Sequence, residues 1–444
     1  FRNDKGTTLN VDADYGLYRI KSNSFQPNVF FNPATNDTLA ENIFSIITPT
    51  NIDIYSLKAD YSQNAFKGKF SAGFKLAYIQ TDNDFNFSNV IDGDPVLDLD
   101  RSNQFIYKEN INAAYATYQR QIKKWNFELG LRAEQTRTTG ELISVQNTGL
   151  DTVDREYLNF FPNAGLTYSP NRKHSFRINY SRRIDRPRYQ DLNPFVNQLD
   201  QLTFQQGNPF LLPQYTHAVS LSHTFMYRYT TSLSYSRTSD FFTQITDTLN
   251  ANASFITQEN LSTREVISGN ISAPIGITKW WSTYTNLNVS RTRNIGDFNL
   301  PGETGKDVDV ARTTFNVYQQ HTFQLPKNFS VELSGFYNSP SIWGANYLTE
   351  DFWGINAGAQ VRMLDNKAIL KMSVTDIFFS MQWAGRQEFG GLLFNARGGW
   401  ESRQFKVNFT YNFGSDKVKA SRRRKTGLSD ETKRASGGGS GPGN

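Results

Sequence analysis

From Tyr118 to Phe127 the chain reads YQRQIKKWNF, a short basic turn between two segments in which large apolar residues fall on every second position. This alternation constrains the fold more than any other feature, because successive side chains of a β-strand point to opposite sides of a sheet. After the turn Trp125, Phe127, Leu129, Leu131 and Ala133 share one face, and Asn126, Glu128, Gly130, Arg132 and Glu134 share the other. One face suits lipid and the other suits water. No run of about 18 apolar residues is available for a spanning helix. The chain therefore crosses a bilayer only as a closed sheet with every backbone group paired.

Counting period-two segments gives about sixteen strands, an even number as bacterial barrels require. Short links are expected at Asn64 to Lys67, Gln121 to Lys124, Pro170 to His174, Met226 to Arg228, Gly276 to Lys279, Pro326 to Asn328 and Leu364 to Lys367. Long loops are expected around 22–50, 82–105, 140–157, 184–214, 241–260, 294–310, 338–351 and 377–400. Short turns face the periplasm and long loops the outside in such barrels. The reading is an all-β, transmembrane, antiparallel up-and-down β-barrel over residues 1–413, with both chain ends periplasmic. A hydrophobic fraction of 38% would otherwise describe a soluble protein, but a barrel wets half of its residues. Among the 35 Phe, 21 Tyr and 7 Trp, Tyr118, Trp125, Tyr168, Tyr227, Tyr229, Trp280, Trp281, Phe323 and Phe329 crowd the short turns, as an aromatic girdle would. A soluble β-sandwich is the competing fold, and it would have to bury a very large apolar outer face.

The register assigns Glu128, Arg132, Arg177, Glu332, Lys371 and Lys406 to the lumen, since each alternates with residues assigned to lipid. The closing strand is the clearest, with Phe405, Val407, Phe409, Tyr411 and Phe413 alternating with Gln404, Lys406, Asn408, Thr410 and Asn412. From Gly414 the sequence loses its large apolar residues and cannot offset the entropy of ordering. Residues 414–444 are expected to form a disordered basic and Gly/Ser-rich periplasmic tail. Its run Arg422, Arg423, Arg424 and Lys425 reads first as solvated charge.

Enzyme chemistry is not expected. Cys is absent, and His174, His217, His223 and His321 offer no pair with ligand spacing on a shared face, so neither metal nor cofactor is expected. Nucleophile elbows, phosphate loops and zincin motifs are missing. The net charge of +6 is modest, and nucleic acid is not an expected partner. Asp82, Asp84, Asp92, Asp94, Asp98 and Asp100 offer hard oxygen ligands for Ca²⁺. A solvated acidic loop near lipopolysaccharide is the simpler reading. Pro187, Pro194, Pro209 and Pro213 remove ladder donors, so 184–214 cannot be continuous sheet. It should be a structured outer loop that packs over the barrel mouth, where it either touches ligand or merely caps two strands.

Three stretches resemble TonB-dependent receptor barrels and the outer-membrane β-barrel family related to them. The most specific is YSRRIDRPRYQDLNPFVNQLDQLTFQQGNPFLLPQYTHAVSLSHTF, residues 180–225, with Arg186-Pro187, Asn193-Pro194-Phe195 and Gly207-Asn208-Pro209. The second is LKMSVTDIFFS, 370–380, with Asp376-Ile377 where Asn-Leu is usual, and the third is the closing strand FKVNFTYNF. The resemblance implies a ligand-uptake barrel whose outer-loop residues are Arg186, Pro187, Tyr189, Asn193, Pro194, Phe195, Gly207, Asn208 and Pro209. It implies as partners outer-membrane lipid and lipopolysaccharide, the outer-membrane assembly machinery, and a periplasmic energy-coupling protein reached through N-terminal regions outside this chain. Such receptors carry a coupling box and a plug ahead of about twenty-two strands, whereas strand alternation here begins at Leu9. The chain reads as the C-terminal part of a longer receptor or as a reduced relative. A non-transporting structural or assembly barrel and a passive porin are the alternatives.

Overall fold

A computed structural model describes residues 3, 6–145, 152–199, 202–250, 253–297, 307–389, 391–413 and 427–435. Its long strands are β1 Thr8–Phe31, β2 Thr38–Ala65, β3 Gly68–Ile91, β4 Asn103–Ile122, β5 Trp125–Ser144, β6 Thr152–Asn171, β7 His174–Asp185, β8 Gln214–Phe225, β9 Tyr229–Asn250, β10 Ala253–Gly276, β11 Trp281–Asp297, β12 Asp307–Leu325, β13 Phe329–Asn338, β14 Phe352–Met363, β15 Ala368–Thr375 and β16 Gln404–Tyr411. Each pairs antiparallel with its neighbours in chain order, from β1 with β2 through to β15 with β16. The sheet is therefore up-and-down. Three short loop strands, Asp94–Leu97, Val196–Gln198 and Thr203–Gln206, bring it to nineteen.

The short links fall where the sequence places them. Phe66 and Lys67 both take positive φ, 54° and 61°, which gives the turn the twist that matches two right-handed strands. Lys327 and Asn328 do the same. Aromatic rings pair across these ends, Trp125 on Tyr168 at 4.3 Å and Trp281 on Phe323 at 5.8 Å. On the outward face Leu129 and Leu131 are exposed, opposite Ala164 and Pro162 of β6.

Several expected loops are instead sheet. β1 runs to Phe31 and β2 starts at Thr38, so most of 22–50 is a hairpin, and 82–105 and 241–260 are likewise largely strand. Residues 146–151 and 298–306, which belong to two further expected loops, lie outside the described residues. The strands outgrow the bilayer because backbone pairing needs no lipid face. In β3 the polarity inverts on the way up: Phe74, Leu76 and Tyr78 face outward, whereas farther along Ile79, Phe85 and Phe87 are buried inward and Asp82, Asp84 and Asn86 take the outer face. Above the lipid the outward side meets water and the inward side meets protein.

Two expectations are corrected here. The sheet is not closed: among the described residues no strand pairs with the outer edge of β1 or of β16. The expected disordered tail contains order, since helix α1, Ser429–Ala435, is packed against the inner wall with Glu431 and Ala435 buried. Its charges find partners there, which composition alone does not reveal. Residues 414–426 and 436–444 lie outside the described residues.

Candidate functional site

After Asp185, residues 186–199 and 202–213 fold inward over the upper half of β2, β3 and β4, and rejoin the sheet only through the short strands Val196–Gln198 and Thr203–Gln206. A 3-10 turn, Tyr189–Leu192, starts the excursion. Asp191 holds it by accepting the Arg188 guanidinium at 2.6 and 2.9 Å, and this bond keeps Arg188 charged above its ordinary value. Tyr189, Leu192, Phe195 and Leu211 are buried in one cluster with Ile52, Ile54, Ile79, Phe85, Phe87 and Phe105. Burying such side chains stabilises by roughly 1.5–3 kcal/mol each, enough to hold a Pro-rich segment that makes little ladder. The inward position of Asn193 and Pro194 depends on Gly207, where a Cβ would sit 2.2 Å from the Asn193 carbonyl oxygen. Backbone acceptors in the loop are also satisfied. Arg155 donates to the carbonyls of Leu211 and Pro209 at 2.6 and 3.2 Å, Gln206 donates to Pro194 O at 2.9 Å, and Asn208 N–H donates to Asp191 O at 2.7 Å.

Beneath the loop lies a ladder of buried charge. Arg186 donates to Glu134 Oε2 at 2.8 Å and to Thr136 at 2.9 Å, and stands 4.0 Å from Glu109. Arg434 reaches the other Glu109 oxygen, and Lys75 meets Glu431 at 2.8 Å. Burial alone would pull both guanidinium groups down, but Glu109 together with Glu134 and Tyr157 around Arg186, and with Tyr189 and Tyr107 around Arg434, outweighs it and holds both above their ordinary value. Both stay charged. Sequence reading assigned Arg186, placed Glu134 only on the wet face, and missed Lys75, Glu109 and Arg155. Their signal is a charge at an inward position between apolar inward neighbours, as Glu109 stands between Tyr107 and Ile111.

Between the loop, β1 to β3 and the tops of β9 and β10 is a cavity of about 460 Å³. Its lining is rich in amides and hydroxyls, among them Ser24, Asn83, Gln190, Asn193, Gln205 and Gln244, with Phe85 and Phe195 on one wall. Those two rings lie 5.3 Å apart. Such a lining offers many amide and hydroxyl donors and acceptors, with the carboxylates of Asp84 and Asp191, beside one aromatic wall. Hydrophilic ligands are held in this way.

The other predicted positions fall as follows. Glu128 and Arg177 share a face and approach to 3.4 Å, and Arg132 pairs with Glu134 on that same face. Glu332 stands opposite Thr322 and Gly358. Lys371 stands opposite Gln360 and Asn408, and Lys406 opposite Ser373. Phe405, Val407, Phe409 and Tyr411 are exposed along β16, and Phe413 lies just beyond it. The expectation that no pair of histidines has ligand spacing on a shared face is overturned. Antiparallel pairing of β7 with β8 sets His174 Nδ1 3.0 Å from His223 Nε2, across 49 residues of chain. Among the described residues no three His, Asp or Glu side chains converge on a metal site. The acidic residues near 82–105 disperse, Asp82 accepting from Gln104 and Asp98 from Asn89 and the backbone of Arg101.

Asp376, at the top of β15, explains the departure from Asn-Leu. It sits at φ 47°, which Asn and Asp tolerate. Its carboxylate accepts Ser380 N–H, Ser380 Oγ–H, Met381 N–H and Ser402 Oγ–H. Burial would raise its pKa, but these donors prevail and hold it below the usual carboxylate range. The clamp's stability is therefore present above the unfolded value of about 4 and is lost as pH falls through the lower folded value. Asp376→Asn should cost roughly 1–3 kcal/mol, because an amide nitrogen replaces one acceptor. A denaturant midpoint that does not move at neutral pH would refute the clamp.

A family model described as the outer membrane protein β-barrel family matches residues 2–411. Among curated proteins none matches. Solved structures give the fold. The ferric-catecholate import receptor Fiu from K12 E. coli is 14% identical with a TM-score of 0.62, over 93% of this chain and 62% of that one. The ferric yersiniabactin uptake receptor FyuA from Yersinia pestis is 13% identical with a TM-score of 0.57, over 92% and 61%. The copper transporter OprC is 11% identical with a TM-score of 0.61, over 90% and 63%. The chain thus spans less than two thirds of each of these proteins. A sheet of strands paired in sequence order, with an apolar outward face and aromatic turn ends, agrees with the matched model over nearly its full length, and the chain belongs to the outer membrane protein β-barrel family.

Proposed function

We propose that this chain is the barrel portion of a TonB-dependent receptor-type uptake protein of the outer membrane, with its ligand site at the outer mouth. The carrying observation is the loop at 186–211, which folds inward and walls a polar cavity of about 460 Å³ in place of an open lumen. Its lining of amides and hydroxyls, with Asp84 and Asp191, supports a hydrophilic ligand held by hydrogen bonds. The similar structures are named for uptake, import and transport of ferric chelates and copper, which supports transport as the activity class. The free edges of β1 and β16 support further strands completing the wall. In this reading the short turns and both chain ends are periplasmic, the outward face contacts lipid and lipopolysaccharide, and β16 with Phe413 is the segment the assembly machinery reads. Energy enters through a periplasmic coupling protein.

The test is uptake by cells carrying the whole protein, measured with labelled ferric chelates, oligosaccharides and peptides, with and without proton-motive force. One class should accumulate only in energised cells, and Gln205→Trp, which fills the cavity, should abolish that accumulation at unchanged surface expression. Equal rates with and without energy would replace the proposal by a passive porin. No uptake of any class would replace it by a non-transporting barrel.

A further inference from the structure

The inner wall carries a second occupant, drawn from the far end of the chain. Gly427 N–H donates to Asp14 Oδ2 at 2.9 Å, and Tyr18 Oη donates to Thr432 Oγ1 at 3.0 Å. Helix α1 then places Glu431 and Arg434 three residues apart, neighbours on one helical face. Glu431 accepts Lys75 Nζ at 2.8 and 2.9 Å, while Arg434 pairs with Glu109. The polarity is crossed: a wall cation meets a tail anion, and a wall anion meets a tail cation. Inserting the segment the other way round would oppose like charges, so the wall accepts it in one orientation. Its far end touches the folded-in loop from beneath. Arg434 Nε donates to Pro187 O at 3.0 Å, its guanidinium lies 4.3 Å from the centre of the Tyr189 ring, and Ala435 is buried in the cluster that holds Tyr189 and Leu211.

Resting on the reading that further strands complete the wall, we infer that residues 427–435 are a strut that holds the turn at 186–192 and Leu211 in their folded-in position, so that seating or release of the segment closes or opens the lumen. The reason is electrostatic. With the segment seated, the side chains of Lys75, Glu431 and Glu109 are only 6%, 4% and 1% exposed, and charges that deep are tolerated when paired. Withdrawal strips Lys75 of its carboxylate and leaves Glu109 with Arg186 alone. Water must then enter to solvate them, and the apolar contact between loop and wall is what it displaces.

The experiment uses the full chain in intact outer membranes and needs no ligand, so its failure is distinct from failure of the uptake reading. Two readouts are taken: thiol labelling of Ala435→Cys against the exposed Lys433→Cys, and influx of a bulky hydrophilic antibiotic. Ala435→Cys should label at least about tenfold more slowly than Lys433→Cys, as expected of a position that reacts only on local opening. Glu431→Lys should remove that protection and raise influx, Lys75→Glu should do the same, and the two together should restore both. Equal labelling of the two cysteines in the parent chain would overturn the docking. Loss of protection without a rise in influx would overturn the strut.

Discussion

Arg186→Met should release the outer loop while leaving the barrel inserted. Arg186 is almost wholly buried and is the link between the loop and two carboxylates of the wall, Glu134 at 2.8 Å and Glu109 at 4.0 Å. Removing one partner of a buried ion pair costs about 3–5 kcal/mol, because the remaining charges stay in a dry site without compensation. Here that cost falls on the folded-in state alone, since an opened loop lets water reach Glu109 and Glu134. The expected result is new protease cleavage within 186–211 on intact cells, with heat-modifiable migration of the barrel unchanged. Replacing Arg186 and Glu134 together by apolar residues of similar volume should recover much of the loss. A loop as resistant in Arg186→Met as in the parent would show that the apolar cluster holds it unaided.

The second large effect concerns the face of the sheet. Leu129 is 58% exposed on the outward side of β5, and an arginine there meets hydrocarbon. Leu129→Arg should destabilise the inserted protein by roughly 2–4 kcal/mol near the bilayer midplane. Glu128→Arg should be tolerated, because Glu128 lies on the opposite, inward face of the strand from Leu129. The check is a refolding titration in lipid vesicles, comparing the two variants with a Val407→Arg and Lys406→Arg pair on β16. Equal losses at both members of each pair would mean that the outward face is not in lipid.

The resemblance in 180–225 and 370–380 was legible as motif, and its physical content came with the coordinates. Arg186, Pro187 and Gly207 prove to be the residues that turn the loop inward, pin it to the wall and allow its two halves to touch. Asp376, set where Asn is usual, proves to be a four-donor acceptor at a left-handed backbone position. Lys75 and Glu109 escaped sequence reading, and Glu134 read only as a wet-face charge, because an inward charge on a barrel strand is unremarkable until something covers it. The histidine pair escaped because its two members meet only through strand pairing.

Period-two alternation by itself determined the number of long strands, the seven short turns and which residues beside them share a face, since side-chain direction in a strand is a local consequence of the pleat. The inversion of polarity in β3, from Leu76 outward to Phe85 and Phe87 inward, is present in the sequence, yet period two has the same rhythm on both sides of it. Only tertiary structure decided that the upper inner wall is apolar because a loop lies on it, that the sheet has two unpaired edges, and that α1 seats its Glu431 and Arg434 on Lys75 and Glu109. Those contacts join residues up to 356 positions apart. Burial and charge pairing at that range are properties of the assembled wall, and no local pattern encodes them.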